Sequence, residues 1–287
     1  MTKPRKQRRR RRLLAAALVL AALILFFLWS QNDLTTRTIE VAAPRLPAAF
    51  DGLRISLVSD VHGKEFGTDS ARLLAAVAEQ EPDLIAVTGD LVDEAAHLDL
   101  VEPLARGLAA IAPTYYVAGN HEWSAHLVQE VWERLEGCGV TVLSNEYRLL
   151  ERDGATIVLA GMEDANGYAD QKTLRQLTEE IRAEQGDPYI LLLAHRNNKW
   201  EDYVDCQIDL TLCGHAHGGL IRLPFTDGLI GNDRRLFPTY TSGLYALPYG
   251  QMVVSRGLGN NPYTFRLFNR PEVPLVVLRA GEGTISN

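Results

Sequence analysis

The chain has 287 residues, 46% of them hydrophobic, so it is long enough for one large core or two small ones. Eight of its 29 Lys and Arg residues lie within residues 1–12, which leaves 21 basic against 36 acidic residues in the remainder. This acidic body argues against nucleic-acid binding, because a duplex needs a basic surface to displace its counterions. The three cysteines, Cys138, Cys206 and Cys213, have no Cys-x-x-Cys spacing, so neither a disulfide framework nor a cysteine zinc site is predicted.

The N-terminus is predicted to be a membrane anchor or targeting segment rather than part of the folded domain. Residues 13–29 form an unbroken apolar run, at the short end of the roughly 17–25 residues that span a bilayer. By the positive-inside rule, residues 1–12 predict a basic cytoplasmic tail, with a single-pass anchor at 13–29 and the rest of the chain outside the cytoplasm. A cleaved signal peptide is the alternative, although the run is long for one and no small-x-small site directly follows it.

Residues 30–49 are predicted to be a stalk, because Pro44 and Pro47 interrupt regular structure. The folded domain is predicted over 50–287, and its first half alternates strands with helices, which favours a sheet covered by helices. In chain order the sequence predicts a strand at 53–59, a helix at 68–80, a strand at 84–88, a helix at 98–110, a strand at 114–117 and a helix at 124–136.

After Gly139 the pattern changes to short strands at 140–143, 147–150 and 155–160. The last two are joined by Asp153-Gly154, a strong signal for a hairpin turn. A helix is predicted at 173–184, followed by strands at 189–194, 208–213 and 252–255. The whole pattern predicts an α/β fold with two facing mixed sheets flanked by helices.

Five short motifs supply Asp, Asn or His, and each follows a predicted apolar strand. They are Asp60-Val61-His62, Gly89-Asp90, Gly119-Asn120-His121-Glu122, His195 and Gly214-His215-Ala216-His217. These side chains are hard or borderline ligands that suit Mn, Fe or Zn. Strand ends would deliver them to one edge of a sheet, where open α/β folds place their sites. The motifs therefore predict a site for two adjacent metal ions.

Each motif also has an ordinary structural explanation when it is taken alone. An aspartate at a strand end, such as Asp60, is usually a turn or cap residue. Asn120 could be a left-handed turn residue, and His195 could be a satisfied surface histidine. His215 and His217 are harder to explain, because two imidazoles in a glycine-rich turn cost stability without a ligand. The set favours metal binding, since independent turn residues are not expected to follow apolar strands so consistently.

The order of these motifs over roughly residues 50–260 resembles that of the calcineurin-like metallophosphoesterase superfamily. The stretches 214–219 and 255–259 are similar to its bacterial membrane-associated phosphodiesterase branch. The resemblance implies a four-layer sandwich of two mixed β-sheets flanked by helices, here preceded by one N-terminal transmembrane helix. It also implies two divalent metal ions, with Mn, Fe and Zn all open.

The resemblance implies a role for each matching residue. Seven residues would bind the metals: Asp60, His62 and His217 the first, Asn120, His195 and His215 the second, and Asp90 both. His121 would stay off the metals, near the leaving group.

This chemistry suits in-line phosphoryl displacement, in which two metals about 3.5–4 Å apart bind the attacking and leaving oxygens. A water shared by both cations loses a proton near neutral pH and attacks phosphorus, while His121 assists the departing alkoxide. We predict hydrolysis of phosphodiester or pyrophosphate bonds in a phosphorylated small molecule or lipid. Because some relatives act on envelope lipids, lipid-linked substrates like UDP-diacylglucosamine are included. A phosphomonoesterase and a non-catalytic, metal-dependent binding protein for phosphorylated ligands are the alternatives, and the oligomeric state stays open.

The chain departs from the usual motifs in two places. Arg196 follows His195, where it could bind a substrate phosphate or could simply be solvated. Glu122 follows His121, where Asp is frequent. Asp93 is predicted to order its loop rather than to bind metal.

Four tyrosines occur late in the chain, namely Tyr240, Tyr245, Tyr249 and Tyr263. They could form an aromatic lip for acyl chains, and ordinary strand packing is the alternative.

Overall fold

Two six-stranded sheets face each other in the structure, a computed structural model that describes residues 3–223, 227–231, 234–260 and 265–281. The strands within these ranges are β1 (Thr35–Ala43), β2 (Arg54–Val58), β3 (Leu84–Val87), β4 (Thr114–Tyr116), β5 (Thr141–Val142), β6 (Glu146–Arg152), β7 (Ala155–Met162), β8 (Ile190–Arg196), β9 (Leu210–Gly214), β10 (Ile221–Arg222), β11 (Gly228–Ile230), β12 (Gly243–Ala246), β13 (Gln251–Val254) and β14 (Glu272–Ala280). The helices are α1 (Lys3–Asn32), α2 (Ala71–Ala78), α3 (Val101–Ile111), α4 (Asn120–Ser124), α5 (Val128–Glu136), α6 (Leu174–Gln185) and α7 (Trp200–Asp205).

Both large sheets are mixed, as predicted. The first has the order β1-β14-β2-β3-β4-β5, in which β2 to β5 are parallel and β14 runs antiparallel to β2. The second has the order β12-β13-β9-β8-β7-β6, with four parallel central strands and antiparallel edges. Because the central strands of each sheet are parallel, their carboxyl ends meet at one edge, and that edge positions the site.

Three hydrophobic clusters separate four layers of secondary structure. Alternate residues of β8 show this arrangement, because Leu191 and Leu193 pack between the sheets whereas Ile190 and Leu192 pack under the outer helices. The cluster on the other side lies between the first sheet and α2, α3 and α5. A strand buried on both faces is a near-continuous apolar run, as the sequence of β8 is. The predicted four-layer sandwich is confirmed.

Several local predictions differ from the structure in their bounds. The helix predicted at 124–136 is α5, which begins later, at Val128, because α4 ends at Ser124 and the chain turns at His126, whose φ is 59°. The helix predicted at 68–80 begins with a 3-10 turn at Thr68–Ser70. The hairpin between β6 and β7 turns at Asp153 and Gly154 with φ of 49° and 78°, as the Asp-Gly signal predicted.

The segment 30–49 is not a stalk, and this prediction is corrected. Helix α1 continues to Asn32, and strand β1 pairs with β14 along its whole length, from Thr35 with Glu272 to Ala43 with Ala280. In β1 the side chains of Ile39, Val41 and Ala43 alternate into the core between the sheets. The sheet therefore includes residues that the sequence placed outside the domain.

Helix α1 is the one helix in the described residues that is long and apolar enough to cross a membrane. Its apolar side chains from Leu13 to Trp29 are almost all exposed in the structure. A signal sequence near the N-terminus can meet the same criteria of length and composition, so the anchor at 13–29 stays a prediction.

Candidate metal centre

The loops after β2, β3, β4 and β9, together with the end of β8, bring the predicted ligands together at one end of the sandwich. Five of these residues are buried, namely Asp60, His62, Asp90, His195 and His217. Asn120, His121 and His215 are half-buried. The ligands come from both sheets, so the site forms only when the two sheets pack face to face.

A first cluster contains Asp60, His62 and His217, whose ligand atoms all lie within 4.8 Å of one another. Nε2 of His62 is 3.2 Å from Nε2 of His217, and the two rings stack with centroids 4.9 Å apart. Nε2 of His217 is 3.5 Å from Oδ1 of Asp60. This is one group of side chains that could hold a metal ion.

A second cluster contains Asp90, His195 and His215. Nε2 of His195 lies 3.1 Å from Oδ2 of Asp90 and 3.2 Å from Nδ1 of His215. The same Oδ2 is 3.8 Å from Nε2 of His62, so Asp90 lies between the two clusters. Oδ1 of Asn120 is buried and has no hydrogen-bond partner among the described residues, as expected for an oxygen that awaits a cation.

Hydrogen bonds on the outer side of two imidazoles set their tautomers. Nδ1 of His195 lies 2.7 Å from the carbonyl oxygen of Thr88, and Nδ1 of His62 lies 2.6 Å from Oδ1 of Asp93. Each Nδ1–H therefore donates outward, so that Nε2 faces the site and offers a lone pair there when the ring is neutral. Each of these nitrogens lies 3.2 Å from a nitrogen of a second histidine, so two imidazoles converge on each cluster. The residues present fit divalent cations.

Two of the candidate histidine ligands, His215 and His217, have the neutral charge state that a divalent cation requires, whereas His195 does not. Burial disfavours the imidazolium and lowers the pKa of His215 to about 4 and that of His217 to about 3. Burial also acts to lower the pKa of His195, but the Asp90 carboxylate outweighs it and raises that pKa to about 10. A cation at the second cluster must therefore displace a proton from His195.

Asp93 contacts two histidines of the site and is more than a residue that orders its loop. Its Oδ1 accepts from Nδ1 of His62 at 2.6 Å and from Nδ1 of His121 at 2.7 Å. Nε2 of His121 then lies 4.0 Å from Oδ2 of Asp90. Burial acts to lower the pKa of His121, but the carboxylates of Asp93 and Asp90 outweigh it and raise that pKa. The one signal for this role was the position of Asp93, three residues after Asp90.

Glu122 holds the backbone of the Asp90 loop. Its Oε2 accepts from the backbone N–H of Asp90 at 3.0 Å and of Gly119 at 2.9 Å. Its Oε1 accepts from the backbone N–H groups of Leu91 and Val92. The side chain is fully buried, so a carboxylate with four backbone donors ties the loop after β3 to the start of α4.

The backbone is strained where the candidate ligands lie. Five of the seven candidate ligands have positive φ: Asp60 at 52°, His62 at 50°, Asp90 at 54°, His215 at 66° and His217 at 49°. Such conformations cost of order 1 kcal/mol each for a residue with a side chain, and they cluster at functional sites. A Cβ on Gly119 would lie 2.1 Å from Oδ1 of Asp90, and one on Gly214 would lie 2.2 Å from Oδ2 of Asp60. These two motif glycines therefore make room for the carboxylates.

Arg196 forms an ion pair inside the protein, so the alternative in which its side chain is simply solvated is wrong. Its Nε and Nη2 donate to the two carboxylate oxygens of buried Asp164 at 2.6 and 2.9 Å, and Nη2 also lies 3.3 Å from Oδ1 of Asn166. The pair lines a cavity of about 680 Å³ between β8 and helices α6 and α7. Because Asp164 already balances its charge, a structural role is favoured over a phosphate contact.

The late tyrosines that the structure describes take part in ordinary packing. The rings of Tyr240 and Tyr245 lie 5.0 Å apart, edge to face, against the core under the second sheet. The hydroxyl of Tyr249 accepts from Nη1 of Arg45 at 2.8 Å. Tyr263 lies outside the described residues. These contacts favour the packing alternative over an aromatic lip.

Glu163, beside the site, gives a test of stability against pH. Trp123 Nε1–H donates to its Oε2 at 2.9 Å, whereas its buried Oε1 has no partner in the described part of the chain. Burial, with the charges of Glu122 and Asp164, raises its pKa from 4.5 to about 7. Below pH 4.5 the carboxyl is neutral in both the folded and the unfolded chain, and it does not reduce stability. As the pH rises from 4.5 through 7, the free energy of unfolding falls, because the buried carboxyl ionises less readily than the same group in the unfolded chain. Glu163→Gln should therefore stabilise the chain at pH 8 by up to about 3 kcal/mol, and little at pH 5.

Unfolding of the wild type and Glu163→Gln in detergent at both pH values measures this difference. Glu151→Gln, an exposed substitution, is the control. An equal effect of Glu163→Gln at pH 5 and pH 8 would contradict the raised pKa.

Comparisons with known proteins agree with this geometry. The family model described as calcineurin-like phosphoesterase matches residues 53–219, which is more than half of the chain. The Bacillus subtilis (strain 168) protein "Uncharacterized metallophosphoesterase YkuE" is 30% identical over 243 residues, covering 82% of each chain. "Phosphodiesterase YaeI" of Escherichia coli (strain K12) is 31% identical over 240 residues, covering 78% of this chain and 82% of that protein.

The chain is also similar to a larger protein and to a solved structure. The Danio rerio "Transmembrane protein with metallophosphoesterase domain" is 29% identical, covering 84% of this chain and 56% of that protein. The structure of Haemophilus influenzae NAD nucleotidase (NadN) has a TM-score of 0.50 at 18% identity, covering 72% of this chain and 45% of that one, which is a likeness of fold alone. The chain belongs to the calcineurin-like phosphoesterase family and is a metal-dependent hydrolase of phosphoric ester bonds.

Proposed function

We propose that the chain binds two divalent metal ions and hydrolyses phosphodiester or pyrophosphate bonds. Seven residues would hold the ions: Asp60, His62 and His217 the first, Asn120, His195 and His215 the second, and Asp90 both. The single observation that carries this proposal is the position of Asp90 between two clusters, with Oδ2 3.1 Å from His195 and 3.8 Å from His62. The donor set of carboxylate, amide and imidazole suits Mn, Fe or Zn.

Different residues of the proposed site have different roles in phosphoryl displacement. When bound, two divalent cations supply the positive charge that activates water and stabilises the developing charge on phosphorus. Asp90, reaching both clusters, sets their separation. Asp93 holds Nδ1 of His121, so the other nitrogen of that ring is free to face the leaving group. His121 then donates its proton to the departing alkoxide oxygen as general acid.

We propose further that the substrate is a phosphorylated amphiphile of the cell envelope. Helix α1 supports this, because its apolar surface is suited to a bilayer and would hold the site close to lipids. Similarity to a protein called a phosphodiesterase and to one called a transmembrane protein supports it as well. The basic residues 1–12 favour a cytoplasmic N-terminus and an extracytoplasmic catalytic domain, anchored by a single pass in the cell membrane.

Hydrolysis by the full chain in detergent tests the proposal, with Mn²⁺ present and aryl phosphodiester, aryl phosphomonoester and lipid pyrophosphate as substrates. We expect turnover of the diester or the pyrophosphate and two metal ions per chain. His121→Ala should lower the turnover number by about 10²- to 10⁴-fold, because it removes the proton donor, while metal content stays near two. His126→Ala is the matched control, since His126 is exposed and five residues further along.

Three results would contradict these assignments. Turnover of the monoester alone would make the chain a phosphomonoesterase. Bound metal with no turnover of any substrate would indicate a binding protein for phosphorylated ligands. Loss of metal in His121→Ala would show that His121 is a ligand rather than the acid.

A further inference from the structure

A layer of loops beside the metal centre is joined by backbone pairing. We call the described residues 220–223, 228–231, 234–237 and 265–268 the loop layer. Ile221 pairs with Ile230 and with Leu267, and Ile230 pairs with Leu236. The layer is attached to the site, because Nδ2 of Asn269 donates to the carbonyl oxygen of His217 at 2.6 Å.

The loop layer concentrates the exposed apolar side chains of the domain. Outside α1, seven large hydrophobic side chains are exposed in the described residues. Five of them lie on this layer: Leu223, Leu236, Phe237, Phe265 and Phe268. Phe237 is 74% exposed and Phe265 is 48% exposed. A grouping of this kind on one face marks a surface that contacts a partner rather than water.

The layer lies against the part of α1 that is predicted to be inside the membrane. The ring of Phe268 is 4.7 Å from that of Phe26, and the ring of Phe265 is 6.2 Å from that of Phe27. Trp29 lies three residues after Phe26 on the helix, and the guanidinium of Arg270 lies over its ring, 5.0 Å from the ring centroid. Trp and Arg are typical of the membrane–water interface. Since a helix rises 1.5 Å per residue, Phe265 and Phe268 lie roughly 3–5 Å to the apolar side of that interface.

Hydrogen bonds fix α1 on the domain, so this depth is not free to vary. Oε1 of Gln31 accepts from Nδ2 of Asn260 and from the backbone N–H of Arg266, both at 3.0 Å. Nζ of Lys64 donates to the carbonyl oxygen of Gln31. The neighbouring Gly259 N–H donates to the carbonyl oxygen of Asp60 at 2.6 Å. The end of the helix is therefore joined through one loop to the backbone of a proposed metal ligand.

We propose that the loop layer is a second membrane contact, whose occupant is the lipid bilayer itself. Phe237, Phe265 and Phe268 enter the acyl region beside α1, and the metal centre opens at the membrane–water interface. A groove of about 330 Å³, lined by His215, Leu236 and Phe237, connects the site to this surface. It is a route by which an amphiphile can present its phosphate without leaving the bilayer. The inference rests on the proposed anchor, but it does not depend on turnover.

Spin labels at single cysteines of the full chain test the depth of the layer. The labels are placed at Phe237→Cys and Phe265→Cys, at Leu20→Cys in α1, and at Leu149→Cys as the control. Leu149 is exposed to a similar degree, at 41%, but lies on β6 at the edge of the second sheet. A Cys138→Ser background removes the half-buried thiol, and Cys206 and Cys213 are buried. The protein is reconstituted into vesicles of phosphatidylethanolamine and phosphatidylglycerol.

Collisions with oxygen, which concentrates in acyl chains, are compared with collisions with a water-soluble nickel complex. We expect labels at 20, 237 and 265 to favour oxygen severalfold, and the label at 149 to favour nickel. Oxygen preference at 20 with nickel preference at 237 and 265 would overturn the second contact and leave the anchor. Nickel preference at 20 would overturn both. Low access of both reagents at 237 and 265 would indicate a protein partner instead of lipid, which also overturns the proposal.

Discussion

Asp90→Asn is expected to lower phosphoester hydrolysis by about a thousandfold or more while the chain stays folded. Removing the charge shared by both clusters costs several kcal/mol of transition-state stabilisation, and each 1.36 kcal/mol is a factor of ten in rate. The amide keeps the shape of the carboxylate and can still accept from the backbone N–H of His121, which lies 2.9 Å from Oδ1 of Asp90. The fold should therefore persist, with metal content reduced.

Turnover, metal content and circular dichroism of the two proteins measure this effect. Asp99→Asn is the control, because the Asp99 side chain is 95% exposed in the segment that follows the same loop. Full activity in Asp90→Asn would refute the two-metal proposal. Loss of secondary structure would instead show that Asp90 is needed for folding, and the isosteric amide is chosen to prevent that.

Glu122→Gln is expected to lower the free energy of unfolding by about 3 kcal/mol. The carboxylate accepts from four backbone N–H groups, whereas an amide offers one oxygen and turns an NH₂ group toward two of those donors. Each buried donor left without a partner costs about 1–3 kcal/mol. Because the freed backbone belongs to the Asp90 loop, hydrolysis should fall along with stability.

Unfolding by denaturant, measured in parallel with hydrolysis, checks this prediction. Glu133→Gln removes an exposed carboxylate from the same region and should change neither quantity. Unchanged stability in Glu122→Gln would mean that the four hydrogen bonds contribute little. A loss of activity without a loss of stability would assign Glu122 to the chemistry rather than to the loop.

The sequence predicted most of the fold where the signal was local. The strand that became β8 was recognised because a strand buried on both faces is a continuous apolar run. Helix α6 was predicted at 173–184, and in the structure it begins after a capping box formed by Thr173 and Gln176. The superfamily and the four-layer sandwich followed from the order of the motifs, and both predictions are confirmed.

The sequence could not predict pairings between distant segments. Strands β1 and β14 pair across more than two hundred residues, and β1 alone looked like a stalk because prolines follow it. The role of Arg196 was predicted only from its position after His195, whereas its partner Asp164 lies 32 residues earlier in the chain. The role proposed for the exposed aromatic rings of the loop layer likewise depends on their contact with α1, a contact between distant segments.

By itself, then, the sequence determined which residues could bind metal, because Asp, Asn and His at the ends of apolar strands are chemically suited to it. Only the tertiary structure decided how those residues are held. Asp93 joins two histidines, Glu122 ties the Asp90 loop, and five candidate ligand positions adopt positive φ. The physical reason is that ligand chemistry belongs to a residue type, whereas orientation comes from hydrogen bonds and packing made across both sheets.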